Sequence, residues 1–177
     1  MAIETCTLAG GCFWCLDSAF RGLKGIISVA SGYAGGQTEN PTYEQICRGD
    51  TGHAEVVRLE YDAEQISFDT LLDIFFSLHD PTTLNRQGAD VGTQYRSAIF
   101  YENSEQKSRA QNAIHKIDAS GLWKNPVVTR LEALDKFYPG EEYHQDYYSR
   151  QPGNPYCQVV ISPKLAKFRE KFTHLLS

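Results

Sequence analysis

The stretch LAGGCFWCLDSAF, residues 8–20, runs from an apolar segment through two glycines into an amphipathic segment. Apolar side chains in the second part recur at spacings of three and four, as they do on the buried face of a helix. These side chains are Phe13, Leu16, Phe20 and Leu23. We predict a strand over residues 4–10 and a helix over residues 12–23. A strand that passes directly into a helix is typical of folds in which helices pack on a sheet.

The same alternation of strand and helix patterns continues along the chain. Further strands are predicted over residues 53–62, 94–102 and 126–137, and residues 25–36 are predicted to be a strand that runs into a glycine-rich loop. Further helices are predicted over residues 67–80, 104–120 and 163–177, the first two with Ser67 and Asn103 as N-cap residues. The connection from Ser31 to Gly52 is long and polar, and it is predicted to be a loop of the kind that carries function. We therefore expect an α/β fold in one domain that covers residues 1–177.

Composition and charge argue against several classes of function. The chain of 177 residues carries a net charge of -5, which disfavours binding to nucleic-acid phosphates through clustered Lys and Arg. No apolar run approaches the roughly 18 residues of a membrane span, and the N-terminus resembles no basic leader. Five cysteines, an odd number, do not resemble a secreted disulfide framework. We expect a cytoplasmic monomer with no cofactor and no nucleic-acid or membrane partner.

Cys12 is predicted to begin the first helix, where unpaired backbone N–H groups and the helix dipole favour a thiolate. It is therefore a candidate nucleophile. Cys15 follows one helical turn later, so a redox dithiol is geometrically allowed. A structural zinc site is disfavoured because Cys6, Cys47 and Cys157 stand alone and no second ligand pair follows. We expect Cys6 and Cys47 to be structural, and a purely structural interpretation of the first two cysteines also stays open.

Glu55 is a candidate proton donor in the strand predicted over residues 53–62. Strand alternation places it on one face with Val57, Leu59 and Tyr61. Apolar surroundings disfavour the charged form of a carboxyl group, which would keep Glu55 protonated near neutral pH. The alternative is that Glu55 lies at the solvated end of the strand.

Aromatic side chains accompany these two candidates. They are Phe13, Trp14, Tyr43 and Tyr95. A thiolate, a protonated carboxyl, phenol donors and an aromatic wall together suit attack on an S=O or C=O centre that bears a small apolar group. The glycines of residues 32–36 match neither a P-loop nor a dinucleotide fingerprint and are interpreted as turn residues.

Five motifs in order resemble the A-type peptide methionine sulfoxide reductases, over residues 8–164. The motifs are GGCFWC, SGYAGG, PTYEQICRGDTGHAEVVRLEYD, GADVGTQYRSAIFY and EEYHQDYY. The resemblance implies an α+β two-layer sandwich with a ferredoxin-like, split βαβ core, long loop excursions and a C-terminal helix. It also implies thioredoxin-dependent reduction of the S-epimer of methionine sulfoxide, free or in peptides and proteins.

The same resemblance assigns a role to each matching residue. Cys12 matches the nucleophile that becomes a sulfenic acid, Glu55 matches the proton donor, and Tyr43 and Tyr95 match the hydroxyls that bind the sulfoxide oxygen. The implied substrate-binding residues are Phe13 and Trp14, as a wall for the methyl group, and Asp90 and His144, as polar supports.

Two positions depart from the commonest family pattern, and both concern the resolving cysteine. Cys15 stands where most relatives have glycine, and Cys157 occupies the first position of the recycling cysteines. A helix holds residues three apart at about 5 to 6 Å between Cβ atoms, whereas a disulfide needs roughly 3.5 to 4.5 Å. Cys157 is expected on a mobile loop rich in proline and glycine, which favours it as the resolver. Cys15, or a relay through both thiols, stays open. A non-catalytic dithiol or metal-binding module is the alternative function.

Overall fold

Six strands form the main sheet of the computed structural model, which describes residues 2–88, 90–151 and 153–176, with Val160 as backbone only. The strands of the chain are β1 (Ile3–Ala9), β2 (Ile26–Ala34), β3 (Ala54–Asp62), β4 (Arg86–Gln87), β5 (Asp90–Val91), β6 (Ala98–Tyr101), β7 (Arg130–Ala133) and β8 (Phe137–Pro139). The helices are α1 (Phe13–Arg21), α2 (Tyr43–Arg48), α3 (Phe68–Leu78), α4 (Ser104–Ala119), α5 (Tyr147–Arg150) and α6 (Ser162–Lys171). β4 and β5 form a separate hairpin.

The main sheet has the strand order β7-β6-β1-β3-β2-β8. Its four central strands are antiparallel, and β3 lies between β1 and β2, the two strands that α1 connects. This insertion is the split βαβ arrangement, so the ferredoxin-like core that the family resemblance implied is confirmed. β7 adds to β6 in parallel at one edge, and β8 adds to β2 antiparallel at the other.

One face of the sheet carries the main core together with α1 and α3. Val57, Leu59 and Tyr61 of β3 are fully buried there against Phe20 of α1 and Phe75 of α3, among others. Burial of side chains of this size is worth about 1.5 to 3 kcal/mol each, which makes this layer the main source of stability. Glu55 continues the same face of β3 toward the N-terminus of α1.

Four alanines line the opposite face of the sheet. The segment between β7 and β8 crosses over them, from one edge of the sheet to the other. The alanines are Ala9, Ala34, Ala54 and Ala98, and Leu134 and Phe137 pack on them. A flat six-stranded sheet would be about 24 Å wide. The chain from the end of β7 to the start of β8 spans at most about 14 Å. The sheet must therefore curl strongly, and the small side chains leave room for the crossing segment.

Several predicted boundaries differ from the observed ones. The strand predicted over residues 126–137 is two strands, β7 and β8, because the chain changes sheet edges between them. The helix predicted to the C-terminus ends at Lys171, and a 3-10 turn follows over Thr173–Leu175. Tyr95 lies in a 3-10 turn, Thr93–Tyr95, rather than in a strand. None of the helices among the described residues has both the length and the apolar character needed to cross a membrane.

Capping residues explain which helix N-termini could be predicted from the sequence. Ser67 and Asn103 accept hydrogen bonds from the backbone N–H groups of Thr70 and Gln106, as N-caps of α3 and α4. The prediction of a loop from Ser31 to Gly52 was wrong, because β2 continues to Ala34 and α2 forms part of the rest. The sequence signal of α2 was a capping box, in which Thr42 and Gln45 satisfy each other's backbone N–H groups.

Candidate active site

Cys12 is the N-cap of α1 and has an extended backbone, with φ -64° and ψ 128°. Its carbonyl accepts the Cys15 N–H at 3.1 Å, and its side chain is 8% exposed. The preceding Gly11 has φ +86°, and a Cβ there would lie 2.7 Å from the Gln87 side chain. This junction therefore requires glycine, and it places Cys12 just outside the helical geometry that the sequence predicted.

The expected stabilisation of a Cys12 thiolate is wrong for this structure. Burial raises the pKa of the Cys12 thiol well above its ordinary value, and the charge of an ionised Glu55 raises it further. The Trp14 backbone N–H acts in the expected direction and lowers the pKa, but burial is the larger effect. The helix start provides the predicted donor, and the sequence pattern gave no measure of how deeply Cys12 is buried.

Glu55 lies on the predicted face of β3 and is 1% exposed, so the solvated alternative is wrong. Its Oε1 accepts the backbone N–H of Phe13 at 3.1 Å. Its Oε2 is buried and has no hydrogen-bond partner among the described residues. Burial raises the pKa of Glu55 to about 8, against the opposing effect of the Phe13 hydrogen bond. At neutral pH this carboxyl can therefore carry a proton beside Cys12 and offer it to a ligand.

Phe13 and Trp14 contribute to a cluster of aromatic rings next to Cys12. Phe13 is fully buried, and its ring centroid lies 5.1 Å from that of His144. Trp14 donates its Nε1–H to Nδ1 of His144 at 3.1 Å and stacks on Tyr147 at 3.9 Å. Because Nδ1 accepts this bond, the neutral His144 ring carries its proton on Nε2, which is buried and has no partner among the residues described. The two predicted wall residues are thus held by partners from the far end of the chain.

The two predicted tyrosines approach the same place from different elements. Tyr43 begins α2, and its ring centroid lies 4.3 Å from His144 and 6.5 Å from Phe13. Burial raises the pKa of Tyr43 and of Tyr95, and in both the charge of an ionised Glu55 is the next cause. Both phenols are therefore protonated hydrogen-bond donors within electrostatic reach of Glu55.

Asp90 contacts a residue that the sequence did not single out. Its Oδ2 accepts the hydroxyl of Tyr156 at 2.7 Å, and the Tyr156 ring lies edge-on to Trp14 at 5.8 Å. The charge of Asp90 also acts on the pKa of Cys12 and of Glu55. Tyr156 directly precedes the candidate resolving cysteine, Cys157, in the sequence. This adjacency is the sequence feature from which a place for Tyr156 near the site could have been predicted.

Cys157 does not lie on a mobile loop, which corrects the sequence prediction. It begins a π-helical turn, Cys157–Ile161, that continues into α6, and its side chain is buried. Cys15 is half-buried on α1, and burial raises its pKa to about 11. An ionised Cys157 would raise the pKa of Cys15 and the positive charge of Lys164 lowers it, so the two thiols are within electrostatic reach.

The two remaining cysteines differ from each other. Cys6 is buried in the core, as expected for a structural residue. Cys47 is exposed on α2, where Tyr43 is its neighbour one turn earlier, and its interpretation as a structural residue stays a prediction. All five cysteines are free thiols. In the part of the chain that the structure describes, no group of three or more His, Cys, Asp or Glu residues could hold a metal ion.

Comparison of the sequence with known proteins points to one family. The family model described as "Peptide methionine sulfoxide reductase" matches residues 4–176. A protein of Chromobacterium violaceum named "Peptide methionine sulfoxide reductase MsrA" is 55% identical over 174 residues, which cover 98% of this chain and 99% of that protein.

Solved structures are similar as well. Reduced Mxr1 from Saccharomyces cerevisiae superposes with a TM-score of 0.82 at 35% identity, covering 88% of this chain and 89% of that one. Mxr1 in complex with Trx2 superposes with a TM-score of 0.58 at 25% identity, covering 82% of this chain and 84% of that one.

Proposed function

Because the chain belongs to the peptide methionine sulfoxide reductase family, we propose that it reduces methionine S-sulfoxide, free or in peptides and proteins, to methionine. Cys12 acts as the nucleophile and Glu55 as the acid, while Tyr43 and Tyr95 bind the sulfoxide oxygen. The observation that carries these roles is the second oxygen of Glu55, which is buried and unpartnered among the described residues, while the first is bound to the amide beside Cys12.

The first step transfers oxygen from the substrate to Cys12. Glu55 protonates the sulfoxide oxygen as the Cys12 sulfur attacks the sulfoxide sulfur and forms an S–S bond with it. The hydroxyl oxygen then passes from the substrate sulfur to the Cys12 sulfur, so that the substrate S–O bond and the S–S bond both break. Methionine leaves, the Cys12 thiol becomes a sulfenic acid, and the Cys12 proton replaces the one that Glu55 gave. The sulfoxide is reduced and the cysteine is oxidised by the same two electrons.

The protonation state of Glu55 affects both reacting groups. A carboxylate at this position would raise the pKa of Cys12, whereas a protonated carboxyl has no such charge. With a pKa of about 8, Glu55 is mostly protonated at neutral pH. The proton on Glu55 can therefore be donated to the sulfoxide oxygen. While Glu55 holds this proton, it has no negative charge that would raise the pKa of Cys12.

Phe13 and Trp14 receive the methyl group of the substrate, and His144 and Asp90 support the site. Trp14 cannot turn freely, because its ring stacks on Tyr147 and its N–H is bound to His144. A fixed aromatic wall beside the nucleophile suits an uncharged thioether methyl group and restricts the orientation of the sulfoxide oxygen.

Cys15 is the first resolving thiol in our proposal, and Cys157 is the second. The geometric objection to Cys15 assumed a helical Cys12, but Cys12 has an extended backbone. Cys15 condenses with the sulfenic acid to form a Cys12–Cys15 disulfide and water. Cys157 then attacks Cys15, which leaves a Cys15–Cys157 disulfide and a regenerated Cys12 thiol.

A thioredoxin dithiol reduces the final disulfide and is itself oxidised. The structure of Mxr1 with Trx2 supports this class of partner. We also propose that residues 1–177 form a single catalytic domain that works as a monomer in the cytoplasm, where a reductant keeps its five free thiols reduced.

The test is methionine formation by Cys12→Ser with dithiothreitol as reductant, compared with Cys6→Ala as a matched cysteine variant. We expect Cys12→Ser to be inactive and Cys6→Ala to be active. Activity in Cys12→Ser would contradict the mechanism. Stoichiometric zinc in the purified protein, with no sulfoxide consumed, would instead support a metal-binding dithiol module.

A further inference from the structure

The carboxylate of Glu141 is hydrogen-bonded through both oxygens to groups near the active site. Its Oε1 accepts the hydroxyl of Tyr33 at 3.0 Å, and its Oε2 accepts the backbone N–H of Tyr43 at 2.9 Å. Glu141 directly precedes the 3-10 turn Glu142–His144. Glu141 is the first residue of the motif EEYHQDYY, but neither the family resemblance nor the proposed mechanism assigns it a role.

The bond to Tyr43 attaches the first residue of α2 to Glu141, in addition to the Thr42–Gln45 capping box. α2 has six residues, and Tyr43 is its first, so the Tyr43 N–H has no partner inside the helix. A negative charge is favourable at a helix N-terminus, and here it comes from 98 residues away in the chain. A helix this short has little stability of its own and takes its position from such contacts. Glu141 therefore fixes the backbone from which the Tyr43 ring projects.

The bond to Tyr33 connects the same carboxylate to the strand pair that carries Glu55. Tyr33 is fully buried on β2, and in the register of the sheet it lies directly opposite Glu55 on β3. The hydroxyl at the tip of the Tyr33 side chain donates a hydrogen bond to Glu141. One carboxylate thus links the strand pair of the proposed acid to the helix of a proposed oxygen-binding hydroxyl.

We propose that Glu141 is a positioning residue that sets the separation between the Glu55 carboxyl and the Tyr43 hydroxyl. This inference rests on the proposed function, in which both groups act on one sulfoxide oxygen. Two donors that must reach the same atom tolerate little displacement, and a shift of about 1 Å can cost up to about 100-fold in rate. Glu141 touches neither substrate nor nucleophile in this role.

The experiment measures methionine formation with dithiothreitol by Glu141→Ala and by Glu142→Ala, whose side chain is exposed next to it in the chain. We expect Glu141→Ala to lower kcat by about 10-fold, and Glu142→Ala to stay within about 2-fold of the native rate. Thermal unfolding of each variant shows whether the measured protein is folded. A folded Glu141→Ala with the native kcat would overturn the inference.

Combination with Tyr43→Phe separates positioning from a general structural effect. If Glu141 acts through the Tyr43 hydroxyl, Glu141→Ala should cost less than about 3-fold once that hydroxyl is gone. The same 10-fold loss in both backgrounds would overturn the inference but leave the proposed function intact. A native rate for Tyr43→Phe alone would instead show that the proposed role of Tyr43 is wrong.

Glu141→Gln is the conservative variant. Its amide oxygen can accept the Tyr43 N–H, and its amide nitrogen can donate to the Tyr33 hydroxyl oxygen, so both links can be kept. We expect it to retain activity within about 3-fold of the native rate. A Glu141→Gln variant as slow as Glu141→Ala would contradict positioning through these hydrogen bonds.

Discussion

The backbone N–H of Phe13 and Oε1 of Glu55 are joined by a buried hydrogen bond of 3.1 Å across 42 residues of sequence. This bond ties the start of α1 to the middle of the sheet and leaves the other carboxyl oxygen without a partner among the described residues. The proposed nucleophile and the proposed acid are therefore held in register by the backbone of Phe13, the residue that follows Cys12. The Glu55 carboxyl is positioned by a backbone donor rather than by a flexible side chain.

Glu55→Gln is expected to slow sulfoxide reduction by at least about 100-fold, because glutamine keeps the shape and the Phe13 bond but has no proton to donate. Alkylation of Cys12 at neutral pH should not slow, since glutamine, like the protonated Glu55, carries no negative charge next to the thiol. Glu60→Gln, on the exposed face of the same strand, is the control. An unchanged rate of reduction in Glu55→Gln would remove Glu55 as the acid.

Glu55 is also expected to make stability depend on pH. In the folded protein its pKa is raised from 4.5 to about 8, so between these values the folded chain keeps a proton that the unfolded chain loses. The contribution of Glu55 to stability is therefore greatest below pH 4.5 and declines as pH rises to about 8, with a slope of about 1.4 kcal/mol per pH unit. Urea unfolding of the native protein and Glu55→Gln across this range measures the difference. Parallel pH profiles for the two proteins would contradict a buried, protonated Glu55.

Mass-spectrometric mapping after one equivalent of sulfoxide, without reductant, distinguishes the resolving cysteines. We expect a Cys15–Cys157 disulfide in the native protein, a Cys12–Cys15 disulfide in Cys157→Ser, and a Cys12 sulfenic acid in Cys15→Ser. All three proteins should release methionine in the first turnover. Rapid formation of a Cys12–Cys157 disulfide in Cys15→Ser would show instead that Cys157 resolves Cys12 directly.

Gly36→Ala is expected to destabilise the protein by about 1 to 3 kcal/mol. A Cβ at Gly36 would lie 2.3 Å from the backbone nitrogen of His53, just before the strand of Glu55, so rigid backbone would have to move. Gly22→Ala is the matched control, because a Cβ there meets nothing within 4 Å. Equal midpoints of urea unfolding for the two variants would contradict this close approach.

Much of the fold, and the burial of Glu55, could be predicted from local sequence patterns. Apolar periodicity located α1 and the C-terminal helix α6, and the residue types of Ser67 and Asn103 located the N-termini of α3 and α4. The sheet face on which the Glu55 side chain lies followed from strand alternation alone, because successive side chains of a strand lie on alternate faces of the sheet. Each of these features depends on residues close together in the chain.

The features that could not be predicted from the sequence depend on contacts between residues far apart in the chain or on how deeply a side chain is buried. Tyr156 meets Asp90 across 66 residues, and Glu141 meets Tyr43 across 98, which no local pattern encodes. The raised pKa of Cys12 follows from burial that the helix-start pattern does not measure. Cys157 was expected on a loop because proline and glycine precede it, yet the segment after them is helical.

The two outer strands of the curled sheet affect how an extended polypeptide can bind. β7 has four residues and β8 has three, and β8 ends in Pro139, which has no N–H to donate. Short edges and proline protect a sheet against the addition of a foreign strand. Under the proposed function, these short edges keep the protein from aggregating with exposed, oxidised segments of other chains, and recognition of such segments falls to the side chains around Cys12.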